Sequence, residues 1–450
     1  MHMTAPETAS NPPADGGSIH ARGASVAIVW SPQASRIHDH LPSNLGRSTL
    51  VHTLLSSLGL VVPETHPHLK VIAPLPATPS GLLGFHDPKY LHLIGQLAKG
   101  IPVPDVDLTR AGLVHDSPPF RGLAAHLRLA AGGSMQAAHF LTSPPAPLIP
   151  RIAIHWDGGR HHAQPSAAAG FCYVNDIVLA IQHLLTHTDA NLHPVVYLDL
   201  DVHHGDGVQD AFRGHFRQVI TLSVHHYDPR GGYYPGTGAA EDKHDVDMLF
   251  AMPGGDGPWP SSCKNWINVP LDRGCSDSTF VTVVSHVISR LHTGGLTHPR
   301  AVVIQCGMDG LAGDPKGKVW NLSEQAYVRV LAHVRKVWGA VSPVLLLGGG
   351  GYHHANTARA WAWMTAAALE LWDVRGNGEL SGKELVPETV PHEDGNSDEG
   401  ILEVFGPLFE MAVDVKGTVR DRNVGEGGKV KVSVMRGVER AVDSVLGSLN

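Results

Sequence analysis

The sequence carries little charge, and its charge is weighted towards acid. Of the 450 residues 17% are charged, against about 25% in an average soluble domain. There are 42 acidic and 34 basic residues, which gives a formal net charge of -8 with histidine neutral. No long run of lysine or arginine occurs, although proteins that bind nucleic acid directly usually present a basic stripe. We therefore expect no direct nucleic-acid binding, and a cationic substrate suits the chain better than a polyanion.

Cysteine and long apolar segments are scarce as well. The 4 cysteines include no CxxC pair, so neither a disulfide scaffold nor a cysteine-ligated zinc finger is expected. The richest apolar stretch, 358–372, contains Arg359 and Glu370 and predicts a buried helix rather than a membrane span. The N-terminus lacks the apolar core of a signal peptide. These absences predict a soluble protein of a reducing compartment with no membrane partner. The abundant residue is histidine, with 31 copies.

Seven apolar runs predict the strands of a sheet. The runs are continuous rather than alternating, which is typical of a parallel sheet with helices on both faces. They occupy residues 26–30, 152–156, 195–201, 219–225, 267–271, 301–306 and 344–348. Between them apolar residues recur at helical spacing, for example from Tyr327 to Trp338, where Ser323 is a candidate N-cap. This alternation predicts a doubly wound α/β domain.

Three segments fall outside this pattern. Residues 1–24 are small, polar and rich in proline and glycine, which predicts a disordered N-terminal tail. Residues 236–264 predict a long surface loop, and residues 373–400 predict a polar, acidic linker before a last helix near 434–448. The loop is equally consistent with an idle insertion and with a surface for a partner or substrate.

Polar side chains follow the strands at the edge where ligands bind in such sheets. The motif DLDVHHGDG places Asp199, Asp201 and His203 at i, i+2 and i+4, and on an extended strand these three would point the same way. Buried charge without a partner is costly. A bound cation is the usual solution, and an ion-paired strand end is the alternative.

Three other strand ends carry polar groups. His161 and His162 follow a glycine turn, Asp309 follows the run AVVIQC, and Tyr352 follows a run of glycines. Together with the DLDVHHGDG motif they indicate a catalytic metal site. Two carboxylates and one imidazole form an open ligand set. Two histidines serve as general acid and base, and a tyrosine donates to a developing oxyanion. The pattern predicts metal-assisted hydrolysis of an amide or a similar carbonyl.

Longer motifs give the chain a family resemblance. GGRHH, GFCYVND, DLDVHHGDG, YYPGTG, AGDP and GGGGYHHANTARAW resemble the class I histone deacetylase family. The resemblance runs from about Val26 to the C-terminal helix and includes FGPLFE and RDRN. It implies a single arginase/deacetylase-type domain over 25–450. The expected architecture is a central, mostly parallel eight-stranded sheet with helices on both faces.

The resemblance also implies roles for the polar residues. Asp201, His203 and Asp309 match the zinc ligands of the family, and Fe²⁺ is the alternative ion. The residues that match its catalytic groups are His161, His162, Asp199, Asp206 and Tyr352. In this assignment Asp199 and Asp206 hydrogen-bond the two histidines in turn, and Tyr352 polarises the acetyl carbonyl together with the metal. Asp199 and Ser223 would also help to hold a structural K⁺ ion.

The substrate would be acetyl-lysine in a narrow tunnel. Phe171 and Tyr234 would line this tunnel, and Gly170 would lie at its wall. Asp116, at the rim, would bind the substrate backbone. Tyr234 stands where the family usually has phenylalanine, and it adds a hydroxyl to an apolar wall. Lys316 would bring a positive charge to the tunnel mouth, which disfavours strongly basic flanking sequences.

A second departure lies deeper. Arg160 replaces a commonly apolar residue, and Arg47 matches the buried channel arginine of the family. We hypothesise that these two cations form an inner pocket that favours outgoing acetate and disfavours bulky apolar acyl groups. Equal activity on acetyl-lysine and long-chain acyl-lysine would contradict this hypothesis.

The leading interpretation is a zinc-dependent protein-lysine deacetylase. Its substrate would be a histone tail or a non-histone protein of the cohesin type, with corepressor subunits as partners and a nuclear or nucleocytoplasmic location. These partners and the location come from the resemblance, since no import signal is seen. The alternatives are an acetylpolyamine or other small-molecule amidohydrolase, a non-catalytic scaffold and an arginase-like hydrolase. The histidine pair and Tyr352 speak against the last.

Overall fold

A computed structural model of the chain describes residues 24–143, 151–188, 193–240, 264–373, 376–381, 385–391, 399–406, 408 and 410–449. The predicted tail therefore lies outside the described residues except for its last position, and so does most of the predicted loop, from 241 to 263. Only parts of the predicted 373–400 linker are described. The domain boundaries stay a prediction.

Eight strands form one sheet, and they confirm the expected fold class. The strands are β1 Val26–Val29, β2 Leu69–Ile72, β3 Ile152–His155, β4 Val195–Asp199, β5 Val219–His226, β6 Trp266–Leu271, β7 Val302–Gln305 and β8 Val344–Leu347. Their order is β2-β1-β3-β8-β7-β4-β5-β6, and every described pair is parallel. The sheet is thus wholly rather than mostly parallel within the described residues.

Seven of these strands match the apolar runs of the sequence, whereas β2 matches none of them. It lies at the edge of the sheet, next to β1, and only its first residue is buried. An edge strand that is half exposed needs no long apolar run. The segment LKVI therefore carries too weak a pattern to be recognised from the sequence alone.

Helices cover both faces of the sheet. They are α1 Pro32–His38, α2 Arg47–Ser57, α3 Pro79–Leu82, α4 Pro88–Ala98, α5 Asp105–Arg110, α6 Leu123–Thr142, α7 Asp176–His187, α8 Asp206–Phe212, α9 Asp277–Thr293, α10 Glu324–Val337, α11 His354–Leu371 and α12 Val432–Leu449. Two short 3₁₀ segments span Glu399–Phe405 and Glu426–Gly428. None of the described helices is long and apolar enough to cross a membrane.

Two apolar cores lie on the two sides of the sheet. Ile28 and Ile154 belong to the core that includes residues of α2, α9, α10, α11 and α12. Their strand neighbours Ala27 and Ala153 belong to the other core, with residues of α4, α6 and α7. This alternation follows from the two-residue period of a strand. Helix starts are fixed by side chains, and Ser323, the predicted N-cap of α10, accepts a hydrogen bond from the backbone N–H of Gln325.

The strand order brings four strand ends together. In the middle of the sheet β3, β8, β7 and β4 are neighbours. Because they are parallel, the loops that follow them all leave from the same edge. This is the edge at which the sequence places its polar residues.

The side chain of Asp421, late in the chain, hydrogen-bonds the C-terminal segment to the start of α9. One oxygen of Asp421, Oδ2, accepts hydrogen bonds from the N–H (3.0 Å) and hydroxyl (2.7 Å) of Ser276 and from the hydroxyl of Thr279 (2.6 Å). Ser276 is also the N-cap of α9. Partial burial alone would raise the pKa of Asp421, but the hydrogen bonds from Thr279 and Ser276 lower it below its ordinary value.

We expect Asp421→Ala to lower the free energy of unfolding by about 2 kcal/mol at neutral pH, because it leaves several donors without an acceptor. A carboxyl whose pKa is depressed on folding stabilises the fold above its unfolded pKa and loses this effect as pH falls. The difference between wild type and variant should therefore shrink below about pH 4. Urea unfolding measures both effects. The exposed Asp414→Ala is the matched control, and equal stability of Asp421→Ala and wild type would contradict the assignment.

Candidate active site

Three metal-ligating side chains converge at the carboxyl edge of the sheet. Asp201 and His203 lie in the loop after β4, and Asp309 lies in the loop after β7. One ligand atom from each lies within 4.8 Å of the others. The His203 Nδ1 is 3.1 Å from Asp201 Oδ1 and 2.9 Å from Asp309 Oδ2. Both carboxylates are 1% exposed, so the cluster is a set of charges shielded from water.

The local geometry differs from the one that the sequence predicts. Strand β4 ends at Asp199, whereas the apolar run extends to Asp201. Asp199, Asp201 and His203 therefore do not lie on one face of a single strand. Asp199 forms a hydrogen bond with His161 instead. Asp309, which follows another strand, completes the cluster.

The electrostatics of the cluster favour a cation. Burial and the neighbouring Asp201 carboxylate raise the pKa of Asp309 to about 7. Burial alone would lower the pKa of His203, but Asp309 and Asp201 raise it to about 10. The two carboxylates thus stabilise a positive charge at this position. Two carboxylates and one imidazole are donors that zinc accepts, and three protein ligands leave a position open for water or substrate. The residues present fit such an ion.

Neighbouring groups fix the orientation of the two carboxylates. Asp201 Oδ2 accepts hydrogen bonds from the Gln305 side chain at 2.9 Å and from the Gly350 N–H at 3.0 Å. Asp309 Oδ1 accepts from the Val202 N–H at 3.0 Å. Such outer partners orient metal ligands. Gln305 was not singled out from the sequence, because a glutamine at the end of a strand carries no distinctive pattern.

Two histidines lie beside the cluster, each paired with its own carboxylate. His161 Nδ1 is 2.8 Å from Asp199 Oδ2, and His162 Nδ1 is 2.7 Å from Asp206 Oδ1. Burial alone would lower the pKa of His161, but Asp199 and Asp201 raise it to about 9. Burial and the adjacent His161 lower the pKa of His162. The pair therefore holds one protonated and one neutral imidazole near neutral pH, which suits acid and base roles.

Tyr352 follows the glycine turn after β8, and the backbone around it is tightly held. Asp314 Oδ2 accepts hydrogen bonds from the N–H groups of Tyr352 (2.7 Å) and His353 (3.1 Å). Its other oxygen, Oδ1, accepts from the N–H groups of Lys316 (2.8 Å) and Gly317 (2.9 Å). One buried carboxylate thus joins two loops. Asp314 belongs to the AGDP motif, but its position in the sequence does not reveal what it holds.

The buried side chain of Arg47 forms hydrogen bonds with the same glycine turn. Its Nη1 donates to the carbonyl oxygens of Gly349 (3.0 Å), Gly350 (3.3 Å) and Gly351 (2.9 Å). Burial and the nearby Arg160 lower the pKa of Arg47 to about 10. Arg160 is itself buried, and its guanidinium donates to the carbonyl of Asp157 at 3.2 Å. The two predicted cations of the inner pocket are therefore both buried next to the site.

The predicted tunnel residues surround His162 and Tyr352. The ring of Phe171 lies 5.5 Å from that of Tyr352, and the ring of Tyr234 lies 5.0 Å from that of His162. A Cβ atom on Gly170 would lie 2.4 Å from His162 Cδ2 and 2.9 Å from the Tyr234 hydroxyl. Only glycine fits there, and the Tyr234 hydroxyl reaches this wall.

The other residues predicted to bind substrate lie further out. The ammonium of Lys316 is 5.6 Å from the centre of the Phe171 ring. Asp116 is exposed. Its neighbour Ser117 accepts a hydrogen bond from the Phe171 N–H at 3.1 Å, which joins the Asp116 loop to the backbone of Phe171.

Ser223 lies next to Asp199 in the sheet. The two residues are paired in register between β4 and β5. The Ser223 hydroxyl is 2.9 Å from His225 Nδ1. Asp199 accepts hydrogen bonds on both oxygens, from the Tyr197 hydroxyl and from the Asp201 N–H, besides its contact with His161.

Comparisons with known proteins agree with this arrangement. The family model described as histone deacetylase domain matches residues 41–368. Histone deacetylase 2 of Oryza sativa subsp. japonica is 36% identical over 374 residues, which are 83% of this chain and 63% of that protein. Histone deacetylase 8 of Danio rerio is 31% identical over 424 residues, which are 94% of this chain and 97% of that protein. The chain thus spans less than two thirds of the rice relative and nearly all of the zebrafish one.

The cluster itself makes a prediction about metal binding. Asp309→Asn removes one of the two carboxylates of the cluster, so we expect the purified chain to lose one equivalent of tightly bound zinc. Elemental analysis after removal of free metal measures this loss. The exposed carboxylate Asp210, also near the site in sequence, provides the control variant Asp210→Asn. Unchanged zinc content in Asp309→Asn would exclude this cluster as the binding site.

Proposed function

The chain belongs to the histone deacetylase family, and on this basis we propose that it is a zinc-dependent hydrolase that removes acetyl groups from N6-acetyl-lysine in proteins. The observation that carries the proposal is the pairing of His161 with Asp199 and of His162 with Asp206, directly beside the cluster of carboxylates and imidazole. An arrangement of this kind serves hydrolysis of an amide.

Asp201, His203 and Asp309 would hold the metal. When bound, zinc supplies a Lewis acid that polarises a carbonyl and lowers the pKa of water. Fe²⁺ is an alternative ion for the same donors. Metal content and activity after reconstitution with each ion distinguish the two.

The two histidines divide the proton chemistry between them. Each has its Nδ1 against a carboxylate, so Nδ1 carries hydrogen and Nε2 is left for the reaction. His162, with its lowered pKa, is neutral at pH 7, and its Nε2 accepts the proton of the attacking water. His161, with its pKa raised to about 9, stays protonated and stabilises negative charge as it develops.

Tyr352 donates the hydrogen bond that stabilises the oxyanion. Burial and the charges of Asp309 and Asp201 raise the pKa of its phenol well above the ordinary value. The hydroxyl therefore keeps its proton at neutral pH. The backbone N–H of Tyr352 is held by Asp314, so the main chain that carries this donor is fixed before substrate binds.

The tunnel residues fit an extended aliphatic side chain. Phe171 and Tyr234 would flank the lysine stem, and Gly170 would let it approach His162 closely. Asp116 at the surface would accept hydrogen bonds from the substrate backbone, which favours a polypeptide over a polyamine. A small-molecule amidohydrolase on the same fold is the second candidate, because fold alone does not fix the substrate.

Further assignments follow from the family relationship. Asp199 and Ser223, adjacent across β4 and β5, would contribute to a structural K⁺ site. Arg47 and Arg160 would favour release of acetate and disfavour bulky apolar acyl groups. Histone tails or proteins of the cohesin type would be substrates, with corepressor subunits as partners in a nuclear or nucleocytoplasmic setting.

Tyr352→Phe tests the oxyanion role. We expect the variant to keep its fold and its zinc but to lose about 10²–10³-fold in kcat, the usual effect of removing one such donor. Turnover of an acetyl-lysine peptide, thermal unfolding and metal content are measured together. Tyr227→Phe, which removes a hydroxyl outside the site, is the control. Normal turnover in Tyr352→Phe would refute the assignment.

The substrate class is tested by comparing an acetyl-lysine peptide with acetylspermidine, each with and without a chelator. We expect peptide turnover that disappears with the chelator and returns with zinc. Turnover of acetylspermidine alone would assign the chain to small-molecule metabolism. A zinc-loaded protein that turns over neither substrate would contradict the proposal and favour a scaffold.

A further inference from the structure

A second group of titratable side chains is buried behind the catalytic residues. Its members have no part in the reaction proposed above. We call them the inner cluster, and they are His38, His52, His126, His155 and Asp157. They come from α1, α2, α6, the end of β3 and the loop after it. Arg160, the chain neighbour of His161, lies next to them.

Three members of the inner cluster are arranged as metal ligands. One ligand atom each from His38, His155 and Asp157 lies within 4.8 Å of the others. The residues are 3%, 1% and 6% exposed. We propose that they form a second site for a divalent first-row metal ion such as zinc, separate from the catalytic cluster. The proposal does not depend on the reaction, because the two sites share no ligand.

His155 is held in the orientation that a ligand requires. Its Nδ1 is 2.9 Å from the Ser134 hydroxyl, which donates to the Asp176 carboxylate at 2.5 Å. A Cβ atom on Gly133 of α6 would lie 2.4 Å from His155 Nε2, so the ring is fixed against that helix. Histidines that bind metals usually have their second nitrogen tied in this way.

His38 offers a buried ring nitrogen to a ligand. Its Nδ1 is 2.9 Å from His126 Nδ1, so one of these two atoms donates a hydrogen bond to the other. Its Nε2 is buried and has no hydrogen-bond partner among the residues that the structure describes. If His38 donates through Nδ1, its Nε2 carries a lone pair, which is the form that binds a metal. In the opposite tautomer a buried N–H would be unsatisfied, at a cost.

Asp157 is a buried carboxylate with few side-chain hydrogen bonds among the described residues. Among the described residues its side chain has one hydrogen-bond partner, His52 Nε2, at 3.4 Å. The Arg160 guanidinium donates to the carbonyl oxygen of Asp157 and not to its carboxylate. Buried carboxylates are normally paired or bound to a metal.

Arg160 is the group that opposes a cation here. Its charge raises the free energy of a bound divalent ion, whereas the catalytic cluster has two carboxylates and holds its ion more strongly. We therefore expect the inner ion to leave first when a chelator is added. The bound ion would join the end of α1 to the end of β3, immediately before the catalytic histidines.

The experiment is a count of tightly bound zinc in the full chain. After reconstitution and removal of free metal, we expect two zinc ions in wild type. Asp157→Asn and His38→Gln should each lose one, Asp309→Asn should lose the other, and the Asp157→Asn, Asp309→Asn double variant should lose both. The exposed His187, stacked on His183 at 4.0 Å, provides the control His187→Gln, which should keep both.

One zinc ion in wild type would overturn the proposal, and so would two in a folded Asp157→Asn. If the inner variants do not fold, X-ray absorption of zinc in Asp309→Asn decides instead. The inner site supplies two imidazoles and the catalytic cluster only one, so two imidazoles per zinc are expected. One imidazole, or no bound zinc, would overturn the proposal. A wild type that binds two zinc ions but turns over no acetyl-lysine peptide would count against the proposed function alone.

Discussion

The site depends on two carboxylates, Asp201 and Asp309, that are buried around a single imidazole. Two carboxylates in such a space repel each other unless one of them is protonated or positive charge lies between them. The protein supplies that charge through His203, and the same donors suit a metal. Gln305 and the backbone N–H groups of Gly350 and Val202 then fix the carboxylates from outside.

A parallel sheet makes the requirement easy to satisfy. Its central strands end at one edge, so groups that are far apart in the chain meet there without long loops. The pairing of His161 with Asp199 and of His162 with Asp206 uses this property. The two histidines lie in the loop after β3, whereas Asp199 is the last residue of β4 and Asp206 follows β4 at the start of α8. His161 and His162 acquire different pKa values from the neighbours that this edge provides.

The sequence predicts the sheet and most of the site, for identifiable reasons. Continuous apolar runs mark seven strands because they are buried on both faces, whereas the edge strand β2 is half exposed and carries no such signal. The exact end of β4 is not visible, since the apolar run continues beyond it. Asp314 and the inner cluster around His38 and His155 could not be predicted either. Their partners lie in remote segments, and only the folded backbone brings them together.

The carboxylate of Asp314 couples two loops of the site mechanically. One of its oxygens accepts a hydrogen bond from the N–H of Lys316 and the other accepts one from the N–H of Tyr352. A displacement of the Lys316 turn would therefore strain the hydrogen bond that holds the backbone of Tyr352. A ligand that binds by displacing this turn would also disturb the position of Tyr352. Substitutions in the turn that weaken such a ligand should have the same side effect.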